Sequence, residues 1–76
     1  MATKFKEQIQ KFKKNYSVPP VIKTEAANFG KDMFLTVNIC LPDNSIVSSA
    51  AGFTTAGFGQ KIDYLIEEAF ERLDLE

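Results

Sequence analysis

Two adjacent prolines, Pro19 and Pro20, split the chain into regions of different period and so limit what it can fold into. Proline lacks the backbone donor and pushes the preceding residue out of the helical region, so no helix crosses the pair. Before it, Phe5, Ile9, Phe12 and Tyr16 stand at i, i+4, i+7 and i+11, within a narrow arc of a helix. The spacing predicts a helix over residues 4–15 with that stripe buried and with Thr3 as its N-cap. Lys4 and Lys11 flank one side of the stripe, Lys6 and Lys13 the other, and Lys14 points away from it.

Beyond the prolines the period falls to two. Three strands are expected, over residues 21–27, 33–41 and 45–53. Asn28-Phe29-Gly30-Lys31 supplies the first hairpin turn, because Asn and Gly tolerate positive φ. Leu41-Pro42-Asp43-Asn44 supplies the second, with the proline pre-setting φ. In the middle strand Met33, Leu35, Val37, Ile39 and Leu41 form one apolar face, against Phe34, Thr36, Asn38 and Cys40 on a mixed one. The third strand is rich in Ser, Ala and Gly, which predicts a smooth outer face and modest packing.

Helical period returns at the end, where Ile62, Leu65, Ile66, Ala69, Phe70 and Leu73 share one arc, opposite Asp63, Glu67, Glu71 and Asp74. A helix is expected over about residues 59–74; Thr54 or Thr55 could cap an earlier start that takes in Phe58, while Gly57 and Gly59 favour the later one. Two one-faced helices and a one-faced sheet pack most economically as two layers. The fold class is therefore α+β, ordered α-β-β-β-α, with a three-stranded antiparallel sheet and both helices on one face of it.

Seventy-six residues, 45% of them hydrophobic, suit one domain spanning 1–76. A core this small leaves self-association an open option. The net charge of −1 conceals a polarity: residues 1–31 carry +5, residues 32–60 carry −2 and residues 61–76 carry −4. A single cysteine, Cys40, cannot form an internal disulfide, and neither a leader-like segment nor an apolar run long enough for a membrane span is present. A reducing, cytoplasmic location without membrane association is expected.

This order and hydrophobic spacing resemble the double-stranded RNA-binding domain. The resemblance runs from the first helix through Pro20-Val21-Ile22-Lys23, Phe34-Leu35-Thr36-Val37-Asn38-Ile39 and Ala50-Ala51-Gly52-Phe53 to the alanine- and glutamate-containing last helix. It implies the same fold, and a duplex gripped by a Lys-Lys-x-Ala-Lys motif at the start of the second helix, a polar residue in the first, and the loop between the first two strands. Aligning the last helices without gaps brings that motif onto Phe58, Gly59, Gln60, Lys61 and Ile62, where none of the three lysines keeps its family position. Phosphate neutralisation supplies most non-specific affinity, and Glu67, Glu68 and Glu71 repel phosphates.

Catalysis has no visible apparatus. Without histidine there is no His-based dyad or His metal site, and Cys40, mid-strand with no basic neighbour in sequence, reads as a packed thiol. The carboxylates of the last helix form a bare face rather than the closed oxygen cage a hard cation needs, and the run Gly52–Gly59 lacks the Gly-Lys-Ser/Thr ending of a phosphate loop. No cofactor, metal or small-molecule substrate is implied. Phe53 and Phe58, among small residues, are either core plugs or an exposed aromatic patch.

The expected function is therefore that of a small non-enzymatic binding protein acting through protein contacts, as a homodimer or with a partner from the nucleic-acid machinery. Tyr64 is its candidate anchor, with Glu67, Glu68 and Glu71 around it. Two alternatives stand beside this reading. One is direct nucleic-acid binding through Lys4, Lys6, Lys11, Lys13 and Lys14; the other is an acidic decoy that occupies a nucleic-acid-binding protein.

Overall fold

The structure, a computed structural model, describes residues 5–55 and 58–75; the side chain of Phe58 also lies outside the description. The elements are α1 (Lys6–Tyr16), β1 (Val21–Phe29), β2 (Asp32–Cys40), β3 (Ile46–Thr54) and α2 (Phe58–Arg72). The sheet is antiparallel in the order β1-β2-β3. The expected α-β-β-β-α architecture is therefore the one found. Thr3, the expected cap of α1, lies outside the described residues.

The core forms where the three apolar faces meet. Phe5 and Phe12 from the first helical segment, Leu35, Val37 and Ile39 from β2, Ala50 from β3, and Leu65, Ile66, Ala69 and Phe70 from α2 make one buried cluster. Ile9, Tyr16, Ile62 and Leu73, the remaining members of the two helical stripes, pack against it half-buried. Both helices thus lie on the face of β2 that carries Leu35, Val37 and Ile39. The Phe5 and Phe70 rings stand 6.4 Å apart, which places α1 beside α2, and Phe12 stacks on Tyr16 at 4.4 Å.

Helix α1 ends ahead of the proline pair. Ser17 takes the left-handed conformation at φ 63°, and its N–H bonds to the Lys13 carbonyl at 2.8 Å, the usual way of satisfying a C-terminal carbonyl. The first hairpin is tighter than the sequence suggests. Phe29 pairs with Asp32, so only Gly30 and Lys31 form the loop, and Phe29 ends β1 instead of sitting in the turn. Positive φ at Gly30 and not at Lys31 is the pattern of a II′ turn, whose twist suits the hairpin. In the second hairpin the Asn44 N–H bonds to the Leu41 carbonyl at 2.8 Å, Asn44 is left-handed at φ 74°, and the Leu41 N–H bonds to the Ser45 carbonyl at 2.8 Å.

Pairing between β2 and β3 carries a bulge. Cys40 pairs with Ile46 but Ile39 pairs with Ser48, so Val47 is the extra residue. The slip reverses the parity of β3 beyond it, because side chains alternate with period two. Ser48, Ala50 and Gly52 are thereby turned under α2, and Ser49, Ala51 and Phe53 face out. Small residues beneath α2 let the helix sit close to the strand: Ser48 Oγ donates to the Ala69 carbonyl at 2.7 Å. Cys40 is buried, flanked by its pairing partners Val21 and Ile46, as a packed thiol should be.

Candidate interaction surfaces

The lysines of α1 do not form one surface. Lys6, Lys11, Lys13 and Lys14 are all exposed, and Lys4 lies outside the described residues. Helical period sets Lys6 and Lys13 on the flank of the stripe away from Lys11. Lys11 instead shares a groove of about 260 Å³ between the helices with Gln8, Phe70, Glu71, Asp74 and Leu75. The basic and acidic segments seen in the sequence therefore adjoin across this groove. Of the α1 aromatics Phe12 is buried in the core, and Tyr16, half-buried, stacks on it.

The acidic candidates on α2 differ in their partners. Glu68 accepts a 2.7 Å ion-pair hydrogen bond from Arg72, one turn on, and Arg72 also donates to the Ser49 carbonyl of β3 at 2.9 Å. Glu71 lines the groove beside Lys11. Tyr64 and Glu67 are exposed, Tyr64 at 56%. Next to Tyr64, Lys61 holds its Nζ 5.1 Å from the centre of the ring, a cation–π distance. Tyr64, Glu67, Glu68 and Glu71, at i, i+3, i+4 and i+7, share one face of α2, with Glu68 tied to Arg72 and Glu71 bordering the groove. The described residues hold no grouping of His, Cys, Asp or Glu that could ligate a metal.

An aromatic cluster is exposed on the sheet. Phe29, Phe34 and Phe53 meet on the face away from the helices, with ring centres 6.4 Å (Phe29–Phe34), 6.1 Å (Phe29–Phe53) and 4.9 Å (Phe34–Phe53) apart. Phe29 and Phe53 are each 59% exposed. Three strands build this cluster: Phe34 lies opposite Phe53 in the β2–β3 register, and Phe29 joins them from the end of β1. Ala27, Thr36 and Ala51 extend the same face toward Lys23, Asn38 and Ser49.

Of the two options left open for Phe53, exposure is the one found; the Phe58 side chain lies outside the described residues. The sequence pattern alone did not point to Phe29 and Phe34. The signal was present in the turns, since a two-residue Gly30-Lys31 loop carries the β1–β2 register to the pair Ala27–Phe34. Placing Phe53 opposite Phe34 needs the bulge at Val47, which leaves no mark in composition or alternation.

In the β2–β3 turn the Ser45 backbone N–H donates to Asp43 Oδ1 at 2.9 Å and holds that carboxyl below its ordinary 3.8. Asn44 Oδ1 in the same turn accepts from Lys23 Nζ at 2.8 Å. Neither contact makes a pocket with chemistry. Among the described residues no helix is long and apolar enough to cross a membrane. No family model, curated protein or solved structure matches this chain.

Proposed function

We propose that this chain is a small non-enzymatic binding protein, with a fold like that of the double-stranded RNA-binding domain, that acts through protein contacts, either with a second copy or with a partner from the nucleic-acid machinery. The observation that carries this reading is the Phe29–Phe34–Phe53 cluster, exposed on an open sheet face. Clustered exposed aromatics on a small monomer mark an interaction site more often than chance exposure does. The ionisable groups nearest the face, Lys23, Glu25, Lys31 and Asp32, cancel in charge, so nothing there gathers a polyanion. A protein surface is the partner class that suits it.

Direct nucleic-acid binding through α1 is the second reading. Exposed Lys6, Lys13 and Lys14 favour it. The burial of Phe12 and the position of Lys11 beside Glu71 and Asp74 weigh against it. A net charge of only −4 over residues 61–76, with Glu68 paired to Arg72, is small for a decoy of nucleic acid.

Salt separates the two readings. Labelled single-stranded and duplex oligonucleotides are titrated with the protein at low and moderate salt, alongside sedimentation velocity of the protein alone and of the double variant Phe29→Ser/Phe53→Ser. Protein contact predicts no salt-sensitive oligonucleotide binding, and loss of association in the double variant with its fold intact. Oligonucleotide binding that collapses as salt rises and disappears in Lys11→Glu/Lys13→Glu/Lys14→Glu would reverse the conclusion.

A further inference from the structure

The two edges of the sheet are protected differently. β1 carries Lys23 and Glu25 along its exposed length, the usual means of keeping an edge from pairing. The other edge strand, β3, has the sequence Ile-Val-Ser-Ser-Ala-Ala-Gly-Phe-Thr and no charge over nine residues. Charge reaches it only from α2 among the described residues: Arg72 extends to the Ser49 carbonyl, and Lys61 crosses the helix side of the strand at Gly52. The Arg72 bond also marks which backbone groups face away from β2. N–H and C=O of one strand residue point to the same side and alternate along the strand, so Ser49, Ala51 and Phe53 direct theirs to solvent.

From this we infer that a second copy of the chain docks along β3, antiparallel and about a two-fold axis at Ala51, making one continuous six-stranded sheet across both copies. The inference deepens the protein-contact reading and rests on it. The outward-facing set is symmetric about Ala51, so Ala51 meets its own counterpart and Ser49 meets Phe53 in both directions, as an isologous contact requires. Each facing pair exchanges two backbone hydrogen bonds. On the open face the Phe53 ring then lies over Ser49 and Ala51 of the other copy, small residues that leave room for it.

Charge agrees with this occupant. The outward side chains of the two strands nearest the seam are Phe34, Thr36, Asn38, Ser49, Ala51 and Phe53, so no ionised group on this face is desolvated at the seam. Arg72 keeps its ion pair with Glu68, and the Ser49 carbonyl has a second lone pair for the incoming N–H. Pairing β3 with β1 of another copy would be head-to-tail, would set Lys23 and Glu25 against an apolar strand and would not close. With the axis at Ala51 the two strands overlap over Ser48–Thr54, seven residues and about 24 Å, so the buried area falls at the low end for specific association. The dimer is therefore reversible and dissociates on dilution.

The test is cysteine cross-linking of the full chain under mild oxidation, with the wild type, whose only thiol is buried, as the blank. Ala51→Cys should form a disulfide dimer at least about tenfold faster than Phe29→Cys or Ala26→Cys, because facing residues in such a pair lie about 5.5 Å apart. Should Ala51→Cys fold poorly, an equal mixture of Ser49→Cys and Phe53→Cys chains, which should cross-link as a heterodimer, tests the same register. Faster cross-linking at Phe29→Cys or Ala26→Cys, or equal rates at all sites, overturns the β3 seam while leaving the protein-contact reading in place. A single 8.5 kDa species at every concentration in sedimentation, with no preferred cross-link, also overturns it; the oligonucleotide titration then decides separately whether the protein-contact reading stands.

Discussion

Lys61 lies across Gly52: a β-carbon added at Gly52 would stand 2.9 Å from Lys61 Cε and 3.1 Å from its Nζ. The glycine thus makes the channel through which a charged side chain runs from α2 over β3 toward the Tyr64 ring. The lysine buries its stem and keeps its ammonium near the surface, as long charged side chains commonly do. Gly52 is under α2 only because the bulge at Val47 puts it there.

Gly52→Ala is therefore expected to be close to neutral. Alanine gains roughly 0.5–1 kcal/mol over glycine in an ordinary strand conformation, and moving the flexible end of Lys61 costs a similar amount. In a Lys61→Ala background the opposing cost is gone, and Gly52→Ala should stabilise by about 0.5–1 kcal/mol. A double-mutant cycle from urea unfolding reads the difference; equal effects in both backgrounds would mean the two residues do not compete for the same space.

Ser17→Gly should stabilise the protein by about 1 kcal/mol. Ser17 sits at φ 63°, where an L-residue pays a steric cost that glycine does not, and its N–H already makes the bond that ends α1. In a domain of this size that corresponds to a rise in Tm of roughly 4–8 °C. A thermal melt followed by circular dichroism checks it, and an unchanged or lowered Tm would refute it.

Two phenylalanines should behave in opposite ways. Phe12 is fully buried and stacked on Tyr16, so Phe12→Ala should cost about 3–5 kcal/mol, comparable to the whole stability expected of a small domain. Phe53 is largely exposed, and Phe53→Ala should cost less than about 1 kcal/mol. Denaturant midpoints at low protein concentration measure both. A large loss at Phe53 would place that ring in the core of the monomer instead of on its surface.

The contrast also shows where the sequence is legible. The i, i+4, i+7 stripe of α1, the alternation through Leu35, Val37 and Ile39, and the Ile62–Leu73 arc of α2 each encode burial in a period that local geometry enforces, and each faces the core, with Ile9, Tyr16, Ile62 and Leu73 half-buried at its margin. The candidate surfaces were less legible, because a surface depends on what adjoins across elements. Lys11 reads as one basic group among five until α2 brings Glu71 and Asp74 to the same groove. Phe53 changes face through a single inserted residue, Val47, in a strand whose Ser, Ala and Gly content gives no alternation from which to detect the slip.

The pH response of the second hairpin can be argued through to its sign. Asp43 accepts the Ser45 N–H while ionised, and this lowers its folded pKa below the 3.8 of the unfolded chain. The unfolded state therefore binds the proton more tightly, and the contact adds stability at pH values above about 4. Stability is lost as pH falls below 3.8 and through the lowered folded value. Asp43→Asn keeps an acceptor oxygen but cannot titrate, so the difference in stability between wild type and variant should be constant from pH 5 to pH 7 and shrink as pH falls from 4 toward 2. Asp43 is solvent-exposed, so the change is small and is best followed by the chemical shift of the Ser45 amide, which should move with a midpoint below 3.8. A midpoint at or above that value would show that the turn does not hold the carboxylate.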